Sequence, residues 1–155
     1  ADESFASDTA THDWFDTTPG ADLDANSTYE FEGTLYLTLG GSTAIARHQF
    51  GGTAGIAAIR YDAACLTSTA ENTDENVYHF TQINTVAQTE ISPTAARGAR
   101  MIRVKGIVIT SAAGTFIPQF SFSAGVGGSP VKERGTLFRL RKLGTDSFET
   151  SGSWS

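Results

Sequence analysis

His12, His48, His79 and Cys65 are the residues of this chain suited to nucleophilic attack, proton shuttling or transition-metal binding. No two histidines stand at the short spacing of a zinc pair, and they fall on the N-terminal segment and on two separate candidate strands. A metal centre would need long-range convergence. Nothing local to Cys65 favours its thiolate, so a Cys65–His79 dyad has no sequence signal. Asp22-Leu23-Asp24-Ala25-Asn26 has the oxygen density of a calcium loop, but without the sixth-position glycine and distal Glu of an EF-hand it reads as a turn or N-cap. Glu30 and Glu32 share one face of a strand, a placement for acid–base chemistry or for pairing with basic strands at 100–105 or 137–142. Gly125-Val126-Gly127-Gly128 lacks the Lys-Ser/Thr of a phosphate loop. These residues assign no catalytic group, no metal and no cofactor. A hydrolase on a sandwich scaffold is the third class of reading, without an assembled nucleophile, base and orienter.

The elements that must position these groups read as strands. Tyr29, Phe31, Leu35, Leu37 and Leu39 recur at every second position around Gly33, with Glu30, Glu32, Thr34, Tyr36 and Thr38 between them, which is the period of a half-buried strand. Ile45–Phe50 and Gly55–Tyr61 read as two short strands around Gly51-Gly52-Thr53, a hairpin. Asp62–Asn76 reads as a polar surface loop with a brief strand at Cys65-Leu66, and Val77–Ile83 alternates without a clearly polar face. In Ala99–Ala112, Arg103 and Lys105 alternate with Ile102, Val104, Gly106 and Val108, yet Ile107 and Ile109 fall on the charged side. Either a bulge at Gly106 flips the register or this strand faces a second subunit. Thr115–Ala124 lines Phe116, Phe120 and Phe122 along one face, and Pro118 places it at an edge or a bulge. Gly135–Leu143 is the last clear strand, before a polar tail that ends near Trp154. No segment of ten residues reads as a helix.

At 155 residues the chain is one domain, long enough to bury about two thirds of the surface of its unfolded form. One cysteine excludes an intrachain disulfide and favours assembly in a cytosol. No apolar run reaches the roughly 20 residues of a membrane helix, and the acidic start is not a signal peptide. The chain begins with Ala and holds only Met101, which fits either a removed initiator or a fragment. The net charge of −6 is unevenly placed: residues 1–24 hold seven acids and no base, and nine of the eleven Lys and Arg lie in 97–142 beside the single acid Glu133. The first 21 residues therefore read as an acidic arm, anchored by Phe5, Trp14 and Phe15, complementary to a basic body and suited to docking on a neighbouring subunit. The overall acidity and the lack of aromatics among the basic residues argue against nucleic acid.

ANSTYEFEGTLYL, then a glycine-rich strand pair, then IRVKGIVITSAAGTFIPQFSFSAG, then GTLFRLRKL and a terminal Trp, together resemble a recurring domain of tailed-bacteriophage virion proteins. The likeness covers about residues 22–155. It departs at Ile45–Ile59, which lacks a Gly-x-Pro segment. The resemblance implies an all-β fold, an antiparallel jelly-roll sandwich of the TNF-like kind, with the arm at 1–21 and the jelly roll at 22–155. It implies a homotrimer without catalytic residues, working as a head-decoration, fibre or spike module on the virion surface after assembly in the host cytoplasm. Its partners would be further copies and other virion proteins, such as the major capsid or fibre-base protein. Ile107, Ile109, Ile117 and Phe138 are the expected trimer contacts, with Phe5, Trp14 and Phe15 as attachment groups of the arm. The alternative is a receptor-binding module that takes host-surface glycan at the loops 62–76 and 125–134, with Tyr61, Tyr78 and Trp154 as stacking groups. Neither reading involves a membrane.

Overall fold

The alternation around Gly33 becomes a twelve-residue strand, β4 (Ser27–Thr38), which turns Tyr29, Phe31, Leu35 and Leu37 inward and Glu30, Glu32, Thr34 and Tyr36 outward. The computed structural model describes residues 2–16, 20–40, 42–68, 76–92 and 97–145. Around β4 it places β1 (Glu3–Ser4), β2 (His12–Asp13), β3 (Ala21–Leu23), β5 (Ala46–Gly51), β6 (Gly55–Ser68), β7 (Asn76–Ile83), β8 (Thr89–Glu90), β9 (Arg97–Ala112), β10 (Gly114–Phe122), β11 (Val131–Lys132) and β12 (Leu137–Thr145). Two antiparallel sheets pack as a β-sandwich, with no helix among the described residues. The seven-stranded sheet runs β1-β11-β4-β9-β6-β7 with β12 also on β4, and the five-stranded sheet runs β2-β10-β5-β8 with β3 also on β10.

The core between them is aromatic. Phe31 meets Phe50 edge-on at 5.1 Å, and Phe50 stacks on Phe116 at 4.2 Å, joining β4 of one sheet to β5 and β10 of the other. Such pairs add about 0.5–1.5 kcal/mol each beyond their buried area.

Three expected elements change. β5 and β6 are not a hairpin: β5 pairs with β10 and β8, while β6 pairs with β9 and β7. The link between them crosses from one sheet to the other, because Thr53 and Ala54 both give their N–H groups to the Thr115 carbonyl at 3.0 Å. Asp62 does not begin a loop. β6 continues to Ser68 on inward Ala63, Cys65 and Thr67, small residues that carry little strand signal but are 0–2% exposed. Residues 69–75 of that expected loop lie outside the described residues, as does the tail with Trp154. Pro118 is at neither a free edge nor a bulge of the β5 ladder, since it faces Phe50 there and β2 and β3 occupy the other side of β10. Phe50 gives its N–H to Val86, away from β10, so this is a non-hydrogen-bonded pair and the proline nitrogen also points away from β5, to the gap between β2 and β3.

Gly106 carries no bulge. The β4–β9 register is unbroken from Thr28↔Ile109 to Tyr36↔Met101, and the irregularities of the β6–β9 ladder lie near its two ends. Gly106 stands between Phe31 and Tyr61 on the inner face, and a Cβ there would lie 2.3 Å from the Arg60 carbonyl oxygen and from the Tyr61 Cβ. Both obstacles are rigid. Gly106→Ala is therefore expected to cost about 1–3 kcal/mol, read as a lower urea midpoint at unchanged slope. A midpoint within error of the parent would contradict this packing.

The arm is part of the sandwich. β1 pairs with β11, and β2 and β3 pair with β10, so residues 2–16 and 20–23 extend both sheets of their own chain.

Candidate interaction face and the arm clamp

On the outer side of the large sheet the register sets side chains in rows across the strands. One row runs Arg141, Glu30, Ile107, Arg60; the next runs Arg139, Glu32, Lys105, Asp62, Gln82; then Leu137, Thr34, Arg103, Ala64, Phe80; then Tyr36, Met101, Leu66, Tyr78. Glu30 and Glu32 thus meet the basic strand of 137–142, Arg141 with Glu30 at 2.7 Å and Arg139 with Glu32 at 2.6 Å. Both arginines are more than 70% exposed, so each pair adds well under about 1 kcal/mol and serves mainly to order the face. Tyr36, Leu137, Arg103, Lys105 and Arg139 surround a shallow depression of about 390 Å³.

This face is apolar where a monomer gains nothing from it. Ile107 is 40% exposed, Tyr78 49% and Phe80 75%. Of the expected contact residues, Ile107 and Ile109 share the face with these rings. Ile117 does not: it belongs to β10 of the other sheet, on the side away from the core, beside Gly20. Phe138 turns inward, opposite Gly33, and fills the space that a Cβ at Gly33 would occupy. It packs against Trp14 at 6.1 Å and Phe31 at 5.9 Å, so it is a half-buried residue set against the core of its own chain.

The arm is fastened at Lys132, which is only 3% exposed. Its ammonium pairs with Glu3 at 3.3 Å and with Asp16, and donates to the Asp13 carbonyl at 3.3 Å. A buried ammonium is tolerable because several oxygens replace its water. Asp2 pairs with Arg134, Asp24 with Lys142, and Gly127 of the glycine loop gives its N–H to the Ser7 hydroxyl. The complementarity of acidic arm and basic body is met within one chain. Phe5 packs edge-on to Phe120 at 5.2 Å, Trp14 is 1% exposed, and Phe15 lies against the core, so the three expected attachment groups are internal anchors.

The candidates for chemistry are placed as follows. Asp24 lies in a turn completed by Asn26 at φ 48°, and Lys142 beside it holds its carboxyl below the usual range. Asp8 is held low by the Ala10 amide and then by His12. Cys65 and His79 do stand opposite each other on β6 and β7, but burial pushes the Cys65 thiol up to about 12, the reverse of activation. His79 faces the Thr67 hydroxyl at 3.3 Å. His48 is fully buried, with Nδ1 against the Tyr61 hydroxyl at 3.2 Å and Nε2 without a partner. Desolvation holds it neutral down to about pH 3, and the same burial raises the Tyr61 phenol. Tyr61, 1% exposed, is a core residue and not a stacking group. Among the described residues no group of three or more His, Cys, Asp and Glu is placed to hold a metal ion.

Two features escape a reading of the sequence. Lys132 lies in a stretch with no periodicity, and nothing local marks it as buried. Phe80 looks like a core aromatic, though the absence of a polar face on Val77–Ile83 was its signal. Comparison with protein-family models, with curated proteins and with solved structures finds no match.

Proposed function

We propose that this protein is a structural module of a bacteriophage particle surface, a jelly-roll decoration or fibre/spike domain that acts as a homo-oligomer, trimeric as the resemblance implies. The observation that carries this reading is the unbroken register through Gly106, which leaves Ile107 and Ile109 on the outer face. With no bulge at Gly106 to hide it, the half-exposed Ile107 supports burial of this face against a second subunit. The jelly-roll description draws support from strand order. β9 lies between β4 and β6, and β5 pairs with β8, so early and late strands interleave as in paired Greek keys. The partners in this reading are further copies and a capsid or fibre-base protein at the virion surface.

Light scattering at micromolar concentration tests it. The full chain is expected to run as a trimer or a multiple of one, and Ile107→Lys, a change at an exposed position, is expected to abolish the three-fold species without loss of fold. A parent chain that is monomeric at every concentration would overturn the oligomer.

The second reading, a glycan-binding module, is favoured by the exposed Tyr78 and Phe80, whose rings lie 5.9 Å apart with planes 21° from parallel. Adjacent aromatic faces on a sheet suit stacking against sugar rings.

A further inference from the structure

The large sheet ends in two long strands, β12 and β7, that have a neighbour on one side only among the described residues. A free edge offers a row of N–H and C=O groups to any extended chain, and natural sheets blunt such edges with charge. β12 is blunted by Arg139 and Arg141, 71% and 74% exposed, with Lys142 beside them. β7 is not: Asn76–Ile83 contains no Asp, Glu, Lys or Arg. Its outward face instead presents the Tyr78 and Phe80 rings, beside Leu66 and Ala64 of β6.

We propose that β7 pairs antiparallel with β7 of a second copy, about a two-fold axis through His79, so that two large sheets join edge to edge. Charge and register select this occupant. Pairing through β12 would bring like charges together, and a charged peptide would find no counter-charge on β7. In an antiparallel pair, directly opposed residues share a face. An axis at His79 therefore sets Tyr78 against Phe80 of the second copy, and Phe80 against Tyr78 of the second copy, two aromatic cross-strand pairs. Moving the axis to Phe80 would set Tyr78 against Gln82 and leave one aromatic pair, Phe80 against its own copy, in place of two. The contact lies at the sheet edge, away from Ile107, and does not rest on the proposed function. A particle-covering lattice has use for both contacts.

The test is disulfide cross-linking under mild oxidation of three samples: Tyr78→Cys alone, Phe80→Cys alone, and the two mixed. Opposed residues in such a pair stand at a Cα separation that a disulfide can bridge. The mixed sample is expected to give at least tenfold more linked dimer than either variant alone. The parent chain is the silent control, because Cys65 is fully buried. In parallel, Phe80→Lys is expected to weaken association of the Ile107→Lys background at least tenfold by sedimentation. Equal linking in all three samples, strongest linking in Phe80→Cys alone, or no linking in any would each overturn the His79-centred pairing. A monomeric Ile107→Lys chain whose Tyr78 and Phe80 instead bind glycan would overturn it in favour of the stacking platform.

Discussion

Trp14→Ala is expected to lower the stability of the whole chain by about 3–5 kcal/mol, the range for removing a large buried aromatic. The indole is 1% exposed and lies over Gly33, where a Cβ would come within 2.8 Å of its Cζ3. It meets the imidazole of His48 at 5.7 Å and the ring of Phe138 at 6.1 Å, both edge-on, so it closes the core between β4, β5 and β12. Its backbone N–H is committed to the Pro118 carbonyl at 3.0 Å. Deleting residues 1–16 is expected to do more. It removes Trp14 and strips Glu3, Asp13 and Asp16 from Lys132, leaving a poorly solvated ammonium without its oxygens. Urea unfolding followed by circular dichroism checks both, since neither variant keeps Trp14 as a fluorescent reporter. A truncated chain that unfolds at the parent's midpoint would show that the arm is an accessory, as its composition alone suggests.

That composition misleads for a physical reason. Seven acids in 24 residues read as a solvated segment when charge is averaged along the chain, but burial is decided by where single side chains land. Phe5, Trp14 and Phe15 were legible as anchors because large apolar groups in a polar stretch need a surface. Which surface they use depends on the positions of β10 and β11, more than 100 residues away. The strands with large alternating residues, β4, β9 and β10, were legible almost to their ends, since their period is written in side chains that only one face can bury. β6 beyond Tyr61 was not, because Ala, Cys and Thr fit a core and a loop alike. The outer face was half legible: Ile107 and Ile109 announced it, and only the register showed that no bulge hides them.

His48 gives the second large effect, and it appears as a pH dependence. The ring is surrounded by Trp14, Phe50 and Tyr61, with no charged group among these neighbours to hold an imidazolium. Its folded pKa of about 3 lies below the ordinary value of 6.5. Between those values the unfolded chain binds a proton that the folded chain refuses, so stability is complete above pH 6.5 and falls as the pH drops. For this single group the loss is about 2 kcal/mol at pH 5 and about 4 kcal/mol by pH 3, from 1.36 kcal/mol per unit of pKa difference. Asp8 and Asp24, whose carboxyls are also held low in the fold, add their own losses only below about pH 4, as unfolded carboxylates protonate. The window from pH 6.5 to 4.5 therefore belongs largely to His48. Urea midpoints of the parent and of His48→Leu across that window separate the two contributions. The leucine variant loses the Tyr61 hydrogen bond at every pH, a constant offset, and its stability should be nearly flat where the parent declines by more than 1 kcal/mol per unit. Parallel slopes in the two proteins would mean that the imidazole takes up its proton without unfolding, through water reaching Nε2 beneath Trp14, and the arm would then be looser over the core than its packing indicates.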